Sequence, residues 1–228
     1  MLPLPSMTLR ELQRRAVDGI KRHALVMSLA SPRAQARILT EYLWSEEGVE
    51  LGALHDTRTP STPAWVDKLV TRQMADERRH ASLLRARLDD MGATYRPPPS
   101  LMKVKLAWLE RTVRPYLHAF AEGPIVVLMA VAAQLEATGV RMFGRHVDVL
   151  ETHAASDPTT AALRSILADE KRHARSCAAA RDRLVRPEER ALLEELHDKI
   201  ARIDRAFGVT LAVTFWLTVA GNVVREAA

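Results

Sequence analysis

Two nearly identical strings, ADERRHA at residues 75–81 and ADEKRHA at residues 168–174, most strongly constrain how this chain can fold. Each string places a glutamate three residues before a histidine, Glu77 before His80 and Glu170 before His173. Side chains three residues apart in a helix lie on the same face. A fold that uses this repeat must therefore contain two helices that each present a carboxylate and an imidazole together.

Helix-starting and helix-ending signals occur throughout the chain, and no segment alternates with the two-residue period of a strand. Thr8 with Glu11 forms a capping box, Ser31 is followed by a proline, and Gly92 follows the first string. Few glycines and a hydrophobic content of 47% suit helices with a sizeable core. We predict an all-α chain with helices over about 8–30, 31–55, 63–91, 101–120, 124–153 and 157–185, a further helix that starts at Pro187, and a last apolar helix over 206–226.

The two halves of the predicted core resemble each other. In each half a long helix is followed by a helix that carries one string, and residues 92–123 connect the halves. Four long helices with one long crossover form the layout of a ferritin-like four-helix bundle. We predict a single domain over residues 1–228, with a core bundle at 31–185, an added crossover helix, an N-terminal helix at 8–30 and C-terminal helices at 187–226.

Both strings lie on helix faces that are otherwise mostly apolar. The face of the first comprises Val66, Val70, Gln73, Glu77, His80, Leu84 and Leu88, and that of the second Leu163, Leu167, Glu170, His173, Ala174 and Cys177. An unpaired carboxylate costs several kcal/mol to bury. Cations of the iron, manganese or zinc class, which carboxylate oxygen and imidazole nitrogen can hold, would compensate these groups.

Two divalent ions need more carboxylates than the strings supply, so the partner helices should each contribute one. Glu136 is the only acid on the apolar stripe of its helix. On the helix over 31–55, Glu46 lies near the middle of the apolar side, and Glu47 and Glu50 lie on its flanks. We select Glu46, with Glu50 as a further candidate ligand and Glu47 as the main alternative.

These motifs resemble those of the ferritin-like carboxylate-bridged di-iron superfamily, in which a buried glutamate precedes each DExRH string by about 30 residues. The resemblance covers residues 31–185. It implies two iron ions, or a manganese–iron or dimanganese pair, held by Glu46, Glu77, His80, Glu136, Glu170 and His173, with Glu77 and Glu170 bridging. It also implies that Asp76 and Asp169 accept hydrogen bonds from the ligand histidines. Arg79 and Arg172 would balance the charge beside them.

Several residues of this chain differ from the patterns of individual families in the superfamily, and these differences narrow the expected chemistry. Leu84 occupies the position of the radical tyrosine of ribonucleotide reductase small subunits, and Gly139 that of the extra glutamate of rubrerythrins. Tyr42, one turn before Glu46, is the tyrosine nearest the predicted site and a candidate catalytic residue, although core packing is its commoner role. We expect an O2-dependent oxidoreductase that hydroxylates, desaturates, N-oxygenates or cleaves a small organic substrate. The alternatives are a ferroxidase or iron-handling protein, a tRNA-modifying di-iron hydroxylase, and a binding module whose metal is structural.

Charge and hydropathy give expectations for location and partners. The net charge of +5 is spread along the chain without long runs of one sign, which does not favour nucleic acid as a partner. The first residues lack a signal-peptide core, and the apolar stretch 209–224 is short for a membrane span. We therefore expect a cytoplasmic protein without a membrane partner. Its expected partners are O2, a small organic substrate, an external electron donor and a second copy of the chain in a homodimer.

Overall fold

The computed structural model describes residues 8–48, 62–94 and 100–227. These ranges contain seven α-helices and no β-strand, which confirms the predicted all-α class. In chain order the helices are α1 Leu9–Ser28, α2 Pro32–Gly48, α3 Ala64–Asp90, α4 Ser100–Val113, α5 Pro124–His153, α6 Pro158–Leu184 and α7 Arg190–Ala227.

Local capping residues set the ends of the long helices. The Thr8 hydroxyl accepts a hydrogen bond from the Glu11 amide, and the Glu11 carboxylate accepts one from the Thr8 amide, completing the predicted capping box at α1. The Asp157 carboxylate accepts from the Thr159 amide at the start of α6. Gly92 follows α3 with a φ of 62°, a backbone conformation that disfavours residues with a Cβ.

Two predicted helix boundaries were wrong. The helix expected over 101–120 ends at Val113 and continues as a 3-10 turn, Arg114–Tyr116, because the ring of Pro115 cannot continue an α-helix. The two helices expected within 187–226 form a 3-10 turn, Pro187–Glu189, followed by the single helix α7. The change from charged to apolar composition near residue 206 does not interrupt the backbone hydrogen bonds, since no proline lies there.

Helix pairs bring the two strings together. Helix α2 packs against α3, helix α5 against α6, and α3 against α6, so the two string-bearing helices are neighbours. The remaining helices surround this helical bundle, with α7 contacting α1, α2, α4 and α5. Asp204 of α7 ties the crossover helix to the bundle, since its carboxylate lies 2.7 Å from Lys105 Nζ of α4 and 2.7 Å from Gln134 Nε2 of α5.

The core consists of two apolar clusters separated by a polar layer. The first contains Met74 of α3, Ala133 of α5 and Cys177 of α6, and the second contains Ala81, Phe143 and Leu167 of the same three helices. On each helix the acidic or histidine residues of interest lie between these positions. The polar layer is thus enclosed by apolar packing at both ends.

Two helical segments are long and apolar enough to cross a membrane, Pro124–His153 and Pro187–Glu226, with mean hydropathies of 1.5 and 1.7. The most apolar part of the first is half buried, as expected of a core helix, whereas that of the second is 17% buried. Val209, Val213 and Leu217 of α7 are exposed. Length and composition of this kind are weak evidence for a membrane span, because core helices meet the same criteria.

Candidate metal centre

The two strings meet in the polar layer with their carboxylates and imidazoles facing each other. Glu77 and His80 of α3 are 1% and 0% exposed, and Glu170 and His173 of α6 are 5% and 4% exposed. Each pair shares a helix face because its members are three residues apart. The ring centroids of His80 and His173 lie 5.9 Å apart.

The two partner helices each contribute one buried carboxylate to the same layer. Glu46 of α2 is 4% exposed and Glu136 of α5 is 1% exposed. One group of potential ligand atoms comes from Glu46, Glu77, His80 and Glu170, and a second comes from Glu77, Glu136, Glu170 and His173. Within each group the atoms lie within 4.8 Å of one another. Glu77 and Glu170 belong to both groups, so the structure brings all six predicted ligands together; their role as ligands stays a prediction.

The Nδ1 atoms of both histidines face the glutamates. His80 Nδ1 lies 3.0 Å from Glu46 Oε2, 3.6 Å from Glu77 Oε2 and 3.8 Å from Glu170 Oε1. His173 Nδ1 lies 3.2 Å from Glu77 Oε1, 3.6 Å from Glu136 Oε2 and 3.7 Å from Glu170 Oε1. Each imidazole therefore presents one nitrogen, with its potential lone pair, to a set of three carboxylates.

The opposite nitrogens contact the aspartates of the strings across the helix pair. His80 Nε2 lies 3.2 Å from Asp169 Oδ2, and His173 Nε2 lies 3.2 Å from Asp76 Oδ2. An Nε2–H that donates to the aspartate leaves Nδ1 unprotonated, which is the tautomer that a metal requires. Each string therefore supplies the aspartate that orients the histidine of the other string.

Arginines complete this outer layer. Arg172 contacts Asp76 Oδ2 at 2.6 Å and also pairs with Asp169, while Arg79 pairs with both aspartates. Hydrogen bonds from His173 and Arg172 outweigh burial and hold the pKa of Asp76 below its ordinary value, and those from His80 and Arg172 do the same for the pKa of Asp169. Both aspartates therefore remain ionised acceptors for the histidines.

The inner layer has unmet polar atoms that suit bound cations. Both carboxylate oxygens of Glu77, Glu136 Oε2 and His173 Nδ1 are buried and have no hydrogen-bond partner among the described residues. In the same ranges, no lysine or arginine forms an ion pair with Glu77, Glu136 or Glu170. Four carboxylates and two neutral imidazoles would balance the charge of two divalent cations, so the donor set fits a pair of metal ions.

Without cations the cluster retains protons. Burial, together with the nearby Glu170 and Glu77 and opposed by His173, raises the pKa of Glu136 to about 8. Burial, together with Glu77, also raises the pKa of Glu170. Burial lowers the pKa of His173, yet the facing carboxylates of Glu136, Glu170 and Glu77 raise it overall. Metal binding must therefore displace protons from this layer.

A metal-free Glu136→Gln variant should be more stable than metal-free wild type at pH 8. A glutamate whose folded pKa is raised from 4.5 to about 8 binds more protons folded than unfolded, so stability falls as pH rises through that window. We expect a difference of a few kcal/mol at pH 8 that narrows toward pH 5. Urea unfolding with a chelator measures it. With Mn(II) added the order should reverse, because the variant has lost a ligand; a wild type that is more stable in both conditions would contradict the prediction.

Gly139 creates the space for one carboxylate. A methyl group built at this position would overlap the Oε2 atom of Glu170 on the neighbouring helix. Gly139 lies one turn beyond Glu136 on the same face of α5. The glycine therefore allows the Glu170 carboxylate to reach the position that both ligand groups share.

The structure separates two of the three glutamates considered on the predicted helix over 31–55. Glu46 joins the cluster, whereas Glu47 forms an ion pair with Arg85 on the outside of α3. Glu50 lies outside the described residues. Adjacent helical residues point about 100° apart, so the neighbours Glu46 and Glu47 face different surroundings.

Gln73 and His146 are two buried polar residues that we did not assign to the site from the sequence. The Gln73 amide donates to Glu136 Oε1 and accepts a hydrogen bond from the Cys177 thiol at 3.3 Å. His146 Nδ1 lies 3.2 Å from the hydroxyl of Tyr42. Their spacing was informative, since Gln73 precedes Glu77 by four residues and His146 follows Phe143, on the stripe of Glu136, by three.

Tyr42 is buried among side chains of α2 and α5. Its ring packs edge-on against Phe143, with centroids 5.0 Å apart, and burial raises the pKa of its phenol. Burial likewise lowers the pKa of His146 to about 4. Both groups are therefore neutral near pH 7, and the pair serves core packing in addition to any redox role of Tyr42.

The stability of wild type should fall more steeply between pH 6.5 and pH 4 than that of a His146→Gln variant. In this window the unfolded chain protonates the histidine and the folded chain does not, so acid favours unfolding. The expected difference reaches about 3 kcal/mol at pH 4. Urea unfolding at several pH values tests this. Equal losses in the two proteins would show that His146 is accessible to protons in the folded chain.

The fold and the site together define a helical bundle protein whose core contains a buried carboxylate and histidine cluster that could hold metal ions. Comparisons with protein-family models, with curated proteins and with solved structures found no match. The geometry of this cluster therefore has to support any assignment of function.

Proposed function

We propose that this protein is a ferritin-like, carboxylate-bridged di-iron oxidase or oxygenase that uses O2 to oxidise a small organic substrate. One observation carries the proposal: six buried side chains form two overlapping ligand groups that share Glu77 and Glu170. Two ions with shared carboxylates are the arrangement found in the di-iron and di-manganese carboxylate bundles. The DExRH strings support the same assignment.

The chain itself would supply ligands, orientation and a dry environment. Glu46 and His80 would hold one ion, Glu136 and His173 the other, and Glu77 and Glu170 both. Asp76 and Asp169 would keep Nδ1 of each histidine unprotonated through their bonds to Nε2. When bound, two iron ions supply O2 activation and accept electrons from an external donor. The apolar clusters on both sides of the layer would limit access of water.

A mixed or dimanganese pair would use the same ligands, because carboxylate and imidazole suit both metals. The choice among hydroxylation, desaturation, N-oxygenation and cleavage depends on the substrate. The cytoplasmic location, the electron donor and the homodimer stay predictions.

Anaerobic metal loading followed by exposure to O2 tests the proposal. We expect elemental analysis to find about two irons per chain, and Mössbauer spectra to show that both ions oxidise together on mixing with O2. Glu77→Ala and Glu170→Ala should lose this response. Iron that does not respond to O2 would overturn the oxygenase and indicate a structural metal, whereas repeated Fe(II) oxidation with mineral formation would indicate a ferroxidase.

A further inference from the structure

A cleft between α3 and α6 reaches the edge of the candidate metal centre. Its volume is about 290 Å³, near the lower end for small-molecule sites. The walls comprise Trp65, Lys68, Leu69, Arg72 and Asp76 of α3, and Arg172 and Ser176 of α6. A larger cleft of about 390 Å³ shares Trp65, but none of the six candidate ligands lines it. The smaller cleft is therefore the one next to the chemistry.

The cleft carries more positive than negative charge, because Lys68, Arg72 and Arg172 line it together with one carboxylate, Asp76. Lys68 and Arg72 are exposed and lie one turn apart on α3, and neither forms an ion pair with another described residue. Arg172 is already engaged, because it bonds to Asp76 and Asp169. Two cations thus remain for a ligand, and an anionic group placed between them would complete their ion pairs.

The same wall has an apolar part. Trp65 is half-buried, and the guanidinium of Arg183 lies 4.4 Å from the centre of its ring. Leu69 lies one turn from Trp65, beside Lys68. A ligand that combines one anionic group with an apolar or aromatic body would match both parts of the wall.

The floor of the cleft connects it to the cluster. Gln73 and His173 line the floor, and both are buried. Gln73 donates to Glu136, and His173 Nδ1 faces Glu77 and Glu136. A molecule in the cleft would therefore contact His173, one of the candidate ligands, and would be separated from the carboxylates of Glu77 and Glu136 by Gln73 and His173.

We propose that this cleft is the substrate site and that it binds a small carboxylate with an apolar or aromatic body. The proposal rests on the function proposed above. Lys68 and Arg72 bind the carboxylate, Trp65 and Leu69 contact the body, and Gln73 separates the bound molecule from Glu136. Lys68 and Arg72 act through charge at a partly open site, so each contributes a modest part of the affinity.

Binding of phenylacetate, with phenylacetamide as its uncharged counterpart, tests the cleft. The full-length chain would be titrated both metal-loaded without O2 and metal-free, since a carboxylate can also bind a metal directly. The NMR signal of the Trp65 indole N–H reports binding at the cleft. This signal is assigned as the one that is lost in a Trp65→Phe variant. We expect phenylacetate to shift this signal in both forms, and to bind at least about tenfold more tightly than phenylacetamide, a difference of 1.4 kcal/mol.

Substitutions separate the cleft from general surface charge. Lys68→Gln and Arg72→Gln should each weaken phenylacetate binding about three- to fivefold, as expected for partly exposed ion pairs. Arg78→Gln is the matched control, because Arg78 is an exposed arginine of α3 outside the cleft, and it should change affinity less than twofold. Phenyl phosphate distinguishes carboxylate from phosphate recognition; tighter binding of phenyl phosphate would overturn the carboxylate assignment.

Equal affinity for phenylacetate and phenylacetamide would overturn the proposal, as would an equal effect of Arg78→Gln. A signal that shifts only in the metal-loaded form would also overturn it, since the carboxylate would then be a metal ligand. These outcomes do not depend on O2 chemistry. Iron that is inert to O2 would overturn the proposed oxygenase while the binding results stand.

Discussion

Glu77→Ala and Glu170→Ala should each abolish tight binding of both metal ions, whereas Glu46→Ala and Glu136→Ala should each remove mainly one. The reason is that Glu77 and Glu170 belong to both four-residue groups, while Glu46 and Glu136 belong to one group each. Loss of a shared carboxylate also leaves two cations close together with less negative charge between them. Anaerobic Fe(II) titration followed by elemental analysis measures the stoichiometry, which should fall from about two per chain to near zero or to about one.

Glu47→Ala is the matched control for Glu46→Ala. The two residues are neighbours on α2, but Glu47 pairs with Arg85 and does not join either ligand group. We expect Glu47→Ala to keep wild-type stoichiometry and to lose no more than about 1 kcal/mol of stability, as for a partly exposed ion pair. Equal metal loss in the two variants would contradict the assignment of Glu46.

Gly139→Ala should reduce metal affinity by about 10- to 100-fold, the size of effect seen when groups that position metal ligands are altered. The added methyl group would overlap Glu170 Oε2, so the carboxylate would have to leave the position shared by both ligand groups. Competition with a metal indicator gives the affinity of the variant. Because alanine favours helix over glycine, the metal-free variant should remain folded.

Gly144→Ala tests whether the loss of metal affinity is specific to position 139 or follows from replacing any glycine of α5. A Cβ at Gly144 would lie 3.8 Å from the nearest atom, Leu167 Cδ1, which is an ordinary packing distance. We expect unchanged metal affinity and a gain of up to about 1 kcal/mol in the free energy of unfolding. If Gly139→Ala also leaves the affinity unchanged, then the Glu170 carboxylate does not need its present position to bind metal.

The choice between Glu46 and Glu47 as the residue that faces the cluster depended on the tertiary structure. Periodicity placed Glu46 nearer the middle of the apolar side of α2, but the two glutamates are adjacent, so a small rotation of the helix would exchange them. The packing of α2 against α3 sets that rotation, and it places Glu46 beside His80 and Glu47 beside Arg85. Rotation of a helix about its axis is decided by contacts with other helices.

The continuity of α7 was predicted wrongly for a different reason. We predicted two helices because the composition changes near residue 206, although no residue in this region must end a helix. Helix continuity depends on backbone hydrogen bonds, which composition affects weakly compared with proline. Conversely, the short break after α4 followed from Pro115, which the sequence shows directly but which we placed inside a helix.

The amino-acid sequence alone determined the helical class, most helix ends and the faces that carry Glu77, His80, Glu170 and His173. These features are local, because they follow from the 3.6-residue period and from capping residues within one turn. Only the tertiary structure decided that Asp76 contacts His173 and Asp169 contacts His80, that Gln73 bonds to Glu136, and that a basic cleft opens beside them. Such contacts join distant parts of the chain, and the relative depth and rotation of packed helices set them.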